Sequence, residues 1–134
     1  MKTPSTARNG IYRAPAKAEA TRAATAGLRV TAITLQGVRG KRELLEAISQ
    51  AMVFPDSFGG NWDALADCLQ DLSWSPGGQL LLLQGAADFA AAKPEEFTLF
   101  LDILGAAADF WKRHDRVFVV WVEGVTGLAE FSKS

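Results

Sequence analysis

The chain has 134 residues, of which 49% are hydrophobic, and it carries 14 basic and 15 acidic side chains. This length and apolar content are typical of one globular domain with its own core. The charges are unevenly placed, because residues 1–27 hold five basic residues against one acidic residue, whereas the rest of the chain holds nine against fourteen. An acidic body argues against direct binding to nucleic acid, which requires clustered Lys and Arg.

The single cysteine and the single histidine restrict the chemistry that this chain can perform. Cys68 cannot form an internal disulfide, and with His114 alone it cannot build a zinc site of ordinary type. We therefore expect no metal, no cofactor and no catalytic residues. Cys68 is expected to be a packed thiol in a reducing cytoplasm. The sequence has neither a secretory signal core nor a run of 18 apolar residues, so we expect a cytoplasmic protein without a membrane partner.

The predicted elements follow a basic segment. Residues 1–27 predict a largely flexible N-terminal extension, in which residues 9–13 are expected to pack on the domain. β-branched and leucine-rich runs then predict three buried strands, which are residues 28–35, 79–84 and 116–122. Apolar periodicity predicts helices at residues 39–52, 86–92 and 94–113, besides the one described below. A polar tail is expected at residues 123–134.

The stretch FPDSFGGNWDALADCLQDLSW at residues 54–74 predicts a loop followed by a further helix. Pro55 and the glycine pair that ends at Gly60 predict the loop, and Asn61 is a predicted N-cap. The spacing of the apolar residues, three or four apart, predicts that one helical face is buried. These residues are Trp62, Leu65, Leu69 and Leu72.

Three aspartates share another face of the same predicted helix. Asp63, Asp67 and Asp71 are each four positions apart, and no Lys or Arg occurs between Arg42 and Lys93. Like charges at this spacing destabilise a helix by a few tenths of a kcal/mol per pair. Two interpretations follow: a solvated polar face, or a rigid acidic surface for a cationic partner.

The same stretch resembles the barstar family, small intracellular inhibitors of secreted bacterial ribonucleases. The resemblance rests on residues that occur in the order typical of that family. They are Pro55, Phe58, Gly59, Asn61, Asp63, Ala64, Leu65, Asp67, Cys68, Leu69 and Trp74. The resemblance implies a single barstar-like α/β domain over residues 28–122, in which a three-stranded parallel sheet packs against helices.

The resemblance also implies which residues bind the partner. Asp63 and Asp67 match the two helix aspartates with which the family binds its ribonuclease, and the preceding loop forms the rest of that surface. The expected partner-binding residues are Asp56, Ser57, Phe58, Gly59, Gly60, Asn61, Trp62, Asp63, Asp67 and Asp71. They would occlude the basic active site of a small barnase-like ribonuclease, as in bacterial toxin–antitoxin immunity, and we expect the inhibitor to be a monomer.

Two positions depart from the family pattern. Ser57 stands where the family's type member has an aromatic hydroxyl side chain, and residues 105–108, a Gly-Ala-Ala-Ala run, lack the Glu of the helix before the last strand. The nearest acidic residue is Asp109. An alternative is therefore a barstar-like interaction module for a different basic protein. An enzyme is not expected, because paired carboxylates require a pocket and perturbed pKa values, and this face is expected to be convex and exposed.

Overall fold

Four strands and four helices occur in the part of the chain that a computed structural model describes, which comprises residues 9–14, 27–55, 59–73, 75 and 77–125. The strands are β1 (Gly10–Arg13), β2 (Arg29–Thr34), β3 (Gln79–Gln84) and β4 (Phe118–Val122). The helices are α1 (Lys41–Met52), α2 (Trp62–Leu69), α3 (Ala87–Ala92) and α4 (Pro94–Arg113). None of these helices is both long enough and apolar enough to cross a membrane.

All strands in these ranges lie in one parallel sheet with the order β1-β4-β3-β2. The predicted α/β domain with a parallel sheet and helices is confirmed, but this sheet has four strands rather than three. The additional strand, β1, comes from the segment that was expected only to pack on the domain. It pairs with β4, so that Ile11 lies beside Val120 and Tyr12 beside Trp121.

Asn9 explains why this short strand is held in register. Its side-chain amide donates hydrogen bonds to the carbonyl oxygens of Ala108 (3.1 Å) and Arg116 (2.9 Å). Its Oδ1 accepts a hydrogen bond from the backbone N–H of Phe118 at 2.9 Å. One side chain thus joins the start of β1 to α4 and to the start of β4. A four-residue strand would be marginal without such additional bonds.

The two faces of the sheet have different cores. The front face, as we call it, carries Leu81, Leu83, Val120 and Val122, which pack against the buried side chains of the helices. The opposite, back face carries a separate cluster, to which none of the four described helices contributes a buried residue. We define this back cluster as Leu80, Val117, Val119 and Trp121, with Tyr12, Ala14, Leu28, Val30 and Leu82 packed against it. Alternation along the strands therefore presents apolar side chains on both faces.

Helix α1 starts two residues after its predicted start and ends in a strained conformation. Gly40 is the extended N-cap, and Glu43 Oε1 accepts a hydrogen bond from the backbone N–H of Arg39 at 3.2 Å. At the other end, Val53 is the C-cap with φ 55° and ψ 57°. A β-branched residue is disfavoured in this left-handed region, where glycine is the usual choice.

We predict that Val53→Gly stabilises the protein. The left-handed conformation costs a non-glycine residue about 1–2 kcal/mol, and the entropy of a glycine in the unfolded chain offsets part of that gain. The side chain is 64% exposed, so little packing is lost. The expected gain is about 0.5–1 kcal/mol in the free energy of unfolding, measured by urea titration. Val53→Ala, which keeps the Cβ atom, is the control and should gain less; an equal gain would contradict this account.

Candidate protein-binding site

Helix α2 begins with a side-chain cap. Asn61 has an extended backbone (φ −135°, ψ 174°), and its Oδ1 accepts a hydrogen bond from the backbone N–H of Ala64 at 2.8 Å. The predicted N-cap is therefore confirmed. The cap satisfies one of the free N–H groups of the first turn and sets the direction in which the helix leaves the loop.

One side of α2 is buried in the front core, where the helix packs mainly against α4. Leu65 and Leu69 are fully buried, and Trp62 is half-buried at the edge of the core. The ammonium of Lys41, at the start of α1, lies 5.6 Å from the centroid of the Trp62 ring, within the range of a cation–π contact. The sequence had no signal for this contact, because the two residues lie on different helices.

Helix α2 is shorter than predicted. The expectation that Asp71 and Leu72 lie on the helix is wrong, since the helix ends at Leu69 and Gln70 is its C-cap. Leu72 is nevertheless fully buried, and it reaches the core through a left-handed turn with φ 48°. This ending takes Asp71 out of the i,i+4 row of like charges, where it would also have faced the negative end of the helix dipole.

A hydrogen bond from α4 fixes the point at which α2 ends. The indole N–H of Trp111 donates to the carbonyl oxygen of Leu69 at 2.7 Å in a buried position. This carbonyl is one of those that a helix end leaves without an intrahelical partner. Trp111 in turn lies under the guanidinium of Arg116, 4.6 Å from the ring centroid. The C-terminal end of α2 is thereby tied to α4 and to the start of β4.

Arg116 also holds the loop that follows α2. Its guanidinium donates hydrogen bonds to the carbonyl oxygens of Gly77, at 2.7 Å, and of Ser75. Gln79 donates to the Ser75 carbonyl from the other side at 3.0 Å. Partial burial lowers the pKa of Arg116 without removing its charge. These bonds prevent the loop from shifting relative to the sheet.

The outward side of α2 is acidic. Asp63 and Asp67 lie on the helix one turn apart and are exposed. In the described ranges Arg42 pairs with Glu46, and neither aspartate has a cationic partner there. Asp71 lies just beyond the helix and accepts a hydrogen bond from the Ser73 hydroxyl at 3.2 Å. The described part of the acidic face is therefore not neutralised from within.

The acidic face affects the pKa of the Cys68 thiol. Its pKa is raised first by desolvation on burial, and then by the negative charges of Asp71 and Asp67. Each of these effects disfavours the thiolate. Cys68 is half-buried beside the core, as expected for a packed thiol. The two carboxylates thus create a negative potential around the end of α2.

The loop before α2 is described only in part. Gly59 and Gly60 are exposed next to the cap, and Gly60 has a positive φ of 70°. The predicted contacts Asp56, Ser57 and Phe58 lie outside the described residues. The glycine pair, the cap residue Asn61 and the aspartates Asp63 and Asp67 are thus exposed within a nine-residue stretch, and Trp62 among them is half-buried.

A pocket that the sequence did not predict adjoins this surface. It has a volume of about 380 Å³ and is lined by Arg42, Leu45, Glu46, Ser49 and Gly60. Arg42 and Glu46 form an ion pair of 3.3 Å on the exposed side of α1. The pocket lies between α1 and Gly60, in the loop that precedes α2.

In a comparison with protein-family models, residues 28–123 match a family described as Barstar (barnase inhibitor). The chain belongs to the barstar family. A search of curated proteins found no match. Barstar-family members are inhibitors rather than enzymes and bind a ribonuclease-type protein. Within the described ranges, no group of three or more His, Cys, Asp or Glu side chains could hold a metal ion.

The barstar resemblance also implies a Glu near residues 105–108, and the structure shows what occupies that position. Ala106 is exposed, Ala107 and Ala108 are buried in the core, and Gly105 packs near Ile11. Asp109 is exposed but lies two positions from Trp111, so the two side chains point to different sides of α4. Asp109 therefore does not replace the missing carboxylate on the side of α4 that contacts α2.

We predict that Trp111→Phe destabilises the protein through α2. The substitution removes the only hydrogen-bond donor that is recorded in the described ranges for the Leu69 carbonyl and leaves a buried acceptor unpaired. The expected cost is about 1–3 kcal/mol in the free energy of unfolding, measured by urea titration. Trp62→Phe is the matched control, since no hydrogen bond of its indole is recorded in these ranges. Equal losses in the two variants would contradict a specific role for the Trp111 hydrogen bond.

We predict that Asp71→Asn makes Cys68 react faster with iodoacetamide at a given pH. A raised pKa keeps the thiol protonated, and only the thiolate reacts. Asp71 has the larger effect of the two carboxylates, and removing its charge lowers that pKa, so the curve of rate against pH should move to lower pH. Alkylation is followed by mass spectrometry from about pH 7 to pH 10. Asp88→Asn, on α3, is the control and should leave the curve in place; an unchanged curve in Asp71→Asn would refute the electrostatic coupling.

Proposed function

We propose that this barstar-family protein inhibits a small basic ribonuclease by inserting the acidic face of α2 into its active site. The observation that carries this proposal is the pair Asp63 and Asp67, which are exposed on a capped helix and have no cationic partner in the described ranges. The description of the family as barnase inhibitors supports a ribonuclease as the partner. The proposed setting is the cytoplasm of a bacterium that secretes the nuclease as a toxin.

The proposed mechanism is occlusion of a phosphate-binding site. A ribonuclease must present cationic groups to hold the phosphates of its substrate. Carboxylates can occupy the same groups through charge-assisted hydrogen bonds. Asp63 and Asp67 are separated by one helical turn, so their Cβ atoms are about 5–6 Å apart and can engage two neighbouring cations. Substrate phosphate and inhibitor carboxylate then compete for the same place.

The rigidity of α2 supports tight binding. Its start is held by Asn61, its buried side by Leu65 and Leu69, and its end by Trp111. A preorganised helix loses little conformational freedom when it binds. The unpaired charges also favour fast association, because opposite potentials steer the two proteins together. Intramolecular contacts thus hold the helix in its binding geometry before the partner binds.

A second candidate function is binding to a basic protein that is not a nuclease. The observation in its favour is the neighbourhood of residues 105–108, where a Gly-Ala-Ala-Ala run replaces an expected carboxylate on the helix next to α2. A partner that needs only the two aspartates of α2 would fit such a surface. The two candidates share the same face and differ in what the partner does.

We predict that Asp67→Ala and Asp63→Ala each weaken inhibition of a barnase-like ribonuclease. The cations of the nuclease would remain buried without their partner, and this costs about 2 kcal/mol or more, roughly a 30-fold rise in Kd; the barnase–barstar complex is itself the standard case for such costs. Titration calorimetry and RNA cleavage in the presence of the inhibitor measure binding and inhibition separately. Raising the salt concentration should slow the association of the natural chain with the nuclease more than that of a variant that carries both substitutions.

Asp88→Ala is the matched control for this experiment. Asp88 is exposed on α3, whose Phe89 contacts Phe97 near the start of α4, whereas α2 contacts Trp111 near its end. These two contacts are about 21 Å apart along α4. Loss of inhibition in Asp88→Ala as large as in Asp67→Ala would contradict the proposed site. Binding without inhibition would favour the second candidate function.

A further inference from the structure

Strand β2 forms one edge of the described sheet, and every second residue of it directs its backbone groups away from β3. The backbone N–H of Arg29 donates to the Gly78 carbonyl at 2.9 Å, on the side of β3. The N–H of Leu35 donates to the Gln84 carbonyl at 2.8 Å, on the same side. The residues that point the other way alternate with these and are Val30, Ala32 and Thr34. No described residue accepts a hydrogen bond from their N–H groups.

This outer edge has few of the features that prevent edge strands from pairing with another chain. Natural edge strands are commonly short or bulged, or they carry Lys and Pro. β2 is six residues long and pairs with β3 at every position, and neither Lys nor Pro occurs in it. Ala32 and Thr34 are exposed, so a further strand can reach this part of the edge. The other edge strand, β1, has only four residues, and Arg13 is exposed at its end.

We propose that β2 pairs with β2 of a second copy of this chain, in antiparallel orientation about a two-fold axis at Ala32. In that register the outward groups of Ala32 bond to those of Ala32 in the second copy. Those of Val30 bond to Thr34 of the second copy, and the reverse pair forms by symmetry. The same surface on both copies thus satisfies all the outward groups, as a two-fold interface requires. The described strands of the two copies then form one continuous sheet.

The sequence of β2 is compatible with itself in this register. On the front face, Thr31 lies opposite Ile33 of the second copy, and such β-branched pairs favour strands. At the axis, Ala32 lies opposite its own copy, so the two strands can approach without a clash. Arg29, the charged residue of β2, lies three positions from Ala32. The two copies of Arg29 therefore lie about 20 Å apart, beyond the Debye length of about 8 Å at physiological ionic strength, and repel each other weakly.

Pairing at β2 leaves the acidic face of α2 available. Helix α2 packs mainly against α4, and α4 contacts β1 and β4, which lie toward the opposite edge of the sheet. The dimer thus presents two acidic faces, and its formation does not depend on what binds to them. A six-residue edge gives a small interface, so the association is weak. The monomer expected from the sequence is then the form at low concentration.

The first test follows the natural full-length chain from about 10 µM to 1 mM, a range that covers weak association. Sedimentation equilibrium should show a rise toward twice the mass of one chain. Amide hydrogen exchange, quenched and resolved by NMR, should slow severalfold at Ala32 and Thr34 over the same range. It should not change at Thr31 and Ile33, whose N–H groups bond to β3 at every concentration.

Three results of this test would overturn the proposal. The first is a mass that stays at one chain throughout the range. The second is a dimer in which exchange at Ala32 is unchanged, since another surface would then join the copies. The third is full protection of Ala32 at the lowest concentration, because the edge would then be covered within one chain.

The second test removes one outward donor. In Ala32→Pro the ring replaces an N–H that points away from β3, so the hydrogen bonds to β3 are kept, and proline is tolerated in edge strands at such positions. This variant should stay monomeric throughout the range. Ala32→Thr keeps the N–H, is the matched control and should associate like the natural chain. Association of Ala32→Pro, or loss of association in both variants, would reject pairing at β2, and the first test decides the question if Ala32→Pro does not fold.

Discussion

A parallel sheet must be covered on both faces, and this constraint organises the whole domain. Each connection between parallel strands returns from one end of the sheet to the other, and the helices in these connections lie on the faces of the sheet. Here the front core contains the buried apolar sides of α1, α2 and α4. The side of each helix that is not buried in this core faces water. For α2, the exposed side is the one that carries Asp63 and Asp67.

One side of α2 stabilises the fold, and the other side is available to a partner. Leu65 and Leu69 commit one side to the core, while Asp63 and Asp67 leave the other side charged. Like charges one turn apart cost the helix some stability. The cap at Asn61 and the hydrogen bond from Trp111 oppose that cost at the two ends. A surface that is unfavourable within the monomer can thus be kept in a fixed geometry for a partner of opposite charge.

Local signals in the sequence predicted most of this arrangement, and contacts between distant residues account for the rest. The cap at Asn61, the buried leucines of α2 and the three main strands follow from residue type and spacing alone. The end of α2 could not be predicted in this way, because it depends on Trp111, 42 positions further along the chain. The cation beside Trp62 likewise comes from α1. Strand β1 has only four residues within a basic segment, so its pattern was too short to indicate pairing.

The pairing of β1 with β4 also has a consequence for the order of assembly. Asn9 and Phe118 lie 109 positions apart, yet they share the hydrogen bond that starts this pair of strands. During synthesis β1 leaves the ribosome before the other described strands, and β4 leaves after them. β1 therefore cannot pair until nearly the whole domain has been synthesised, and closing so long a loop slows the pairing step. The first strand to be made is thus among the last to join the sheet.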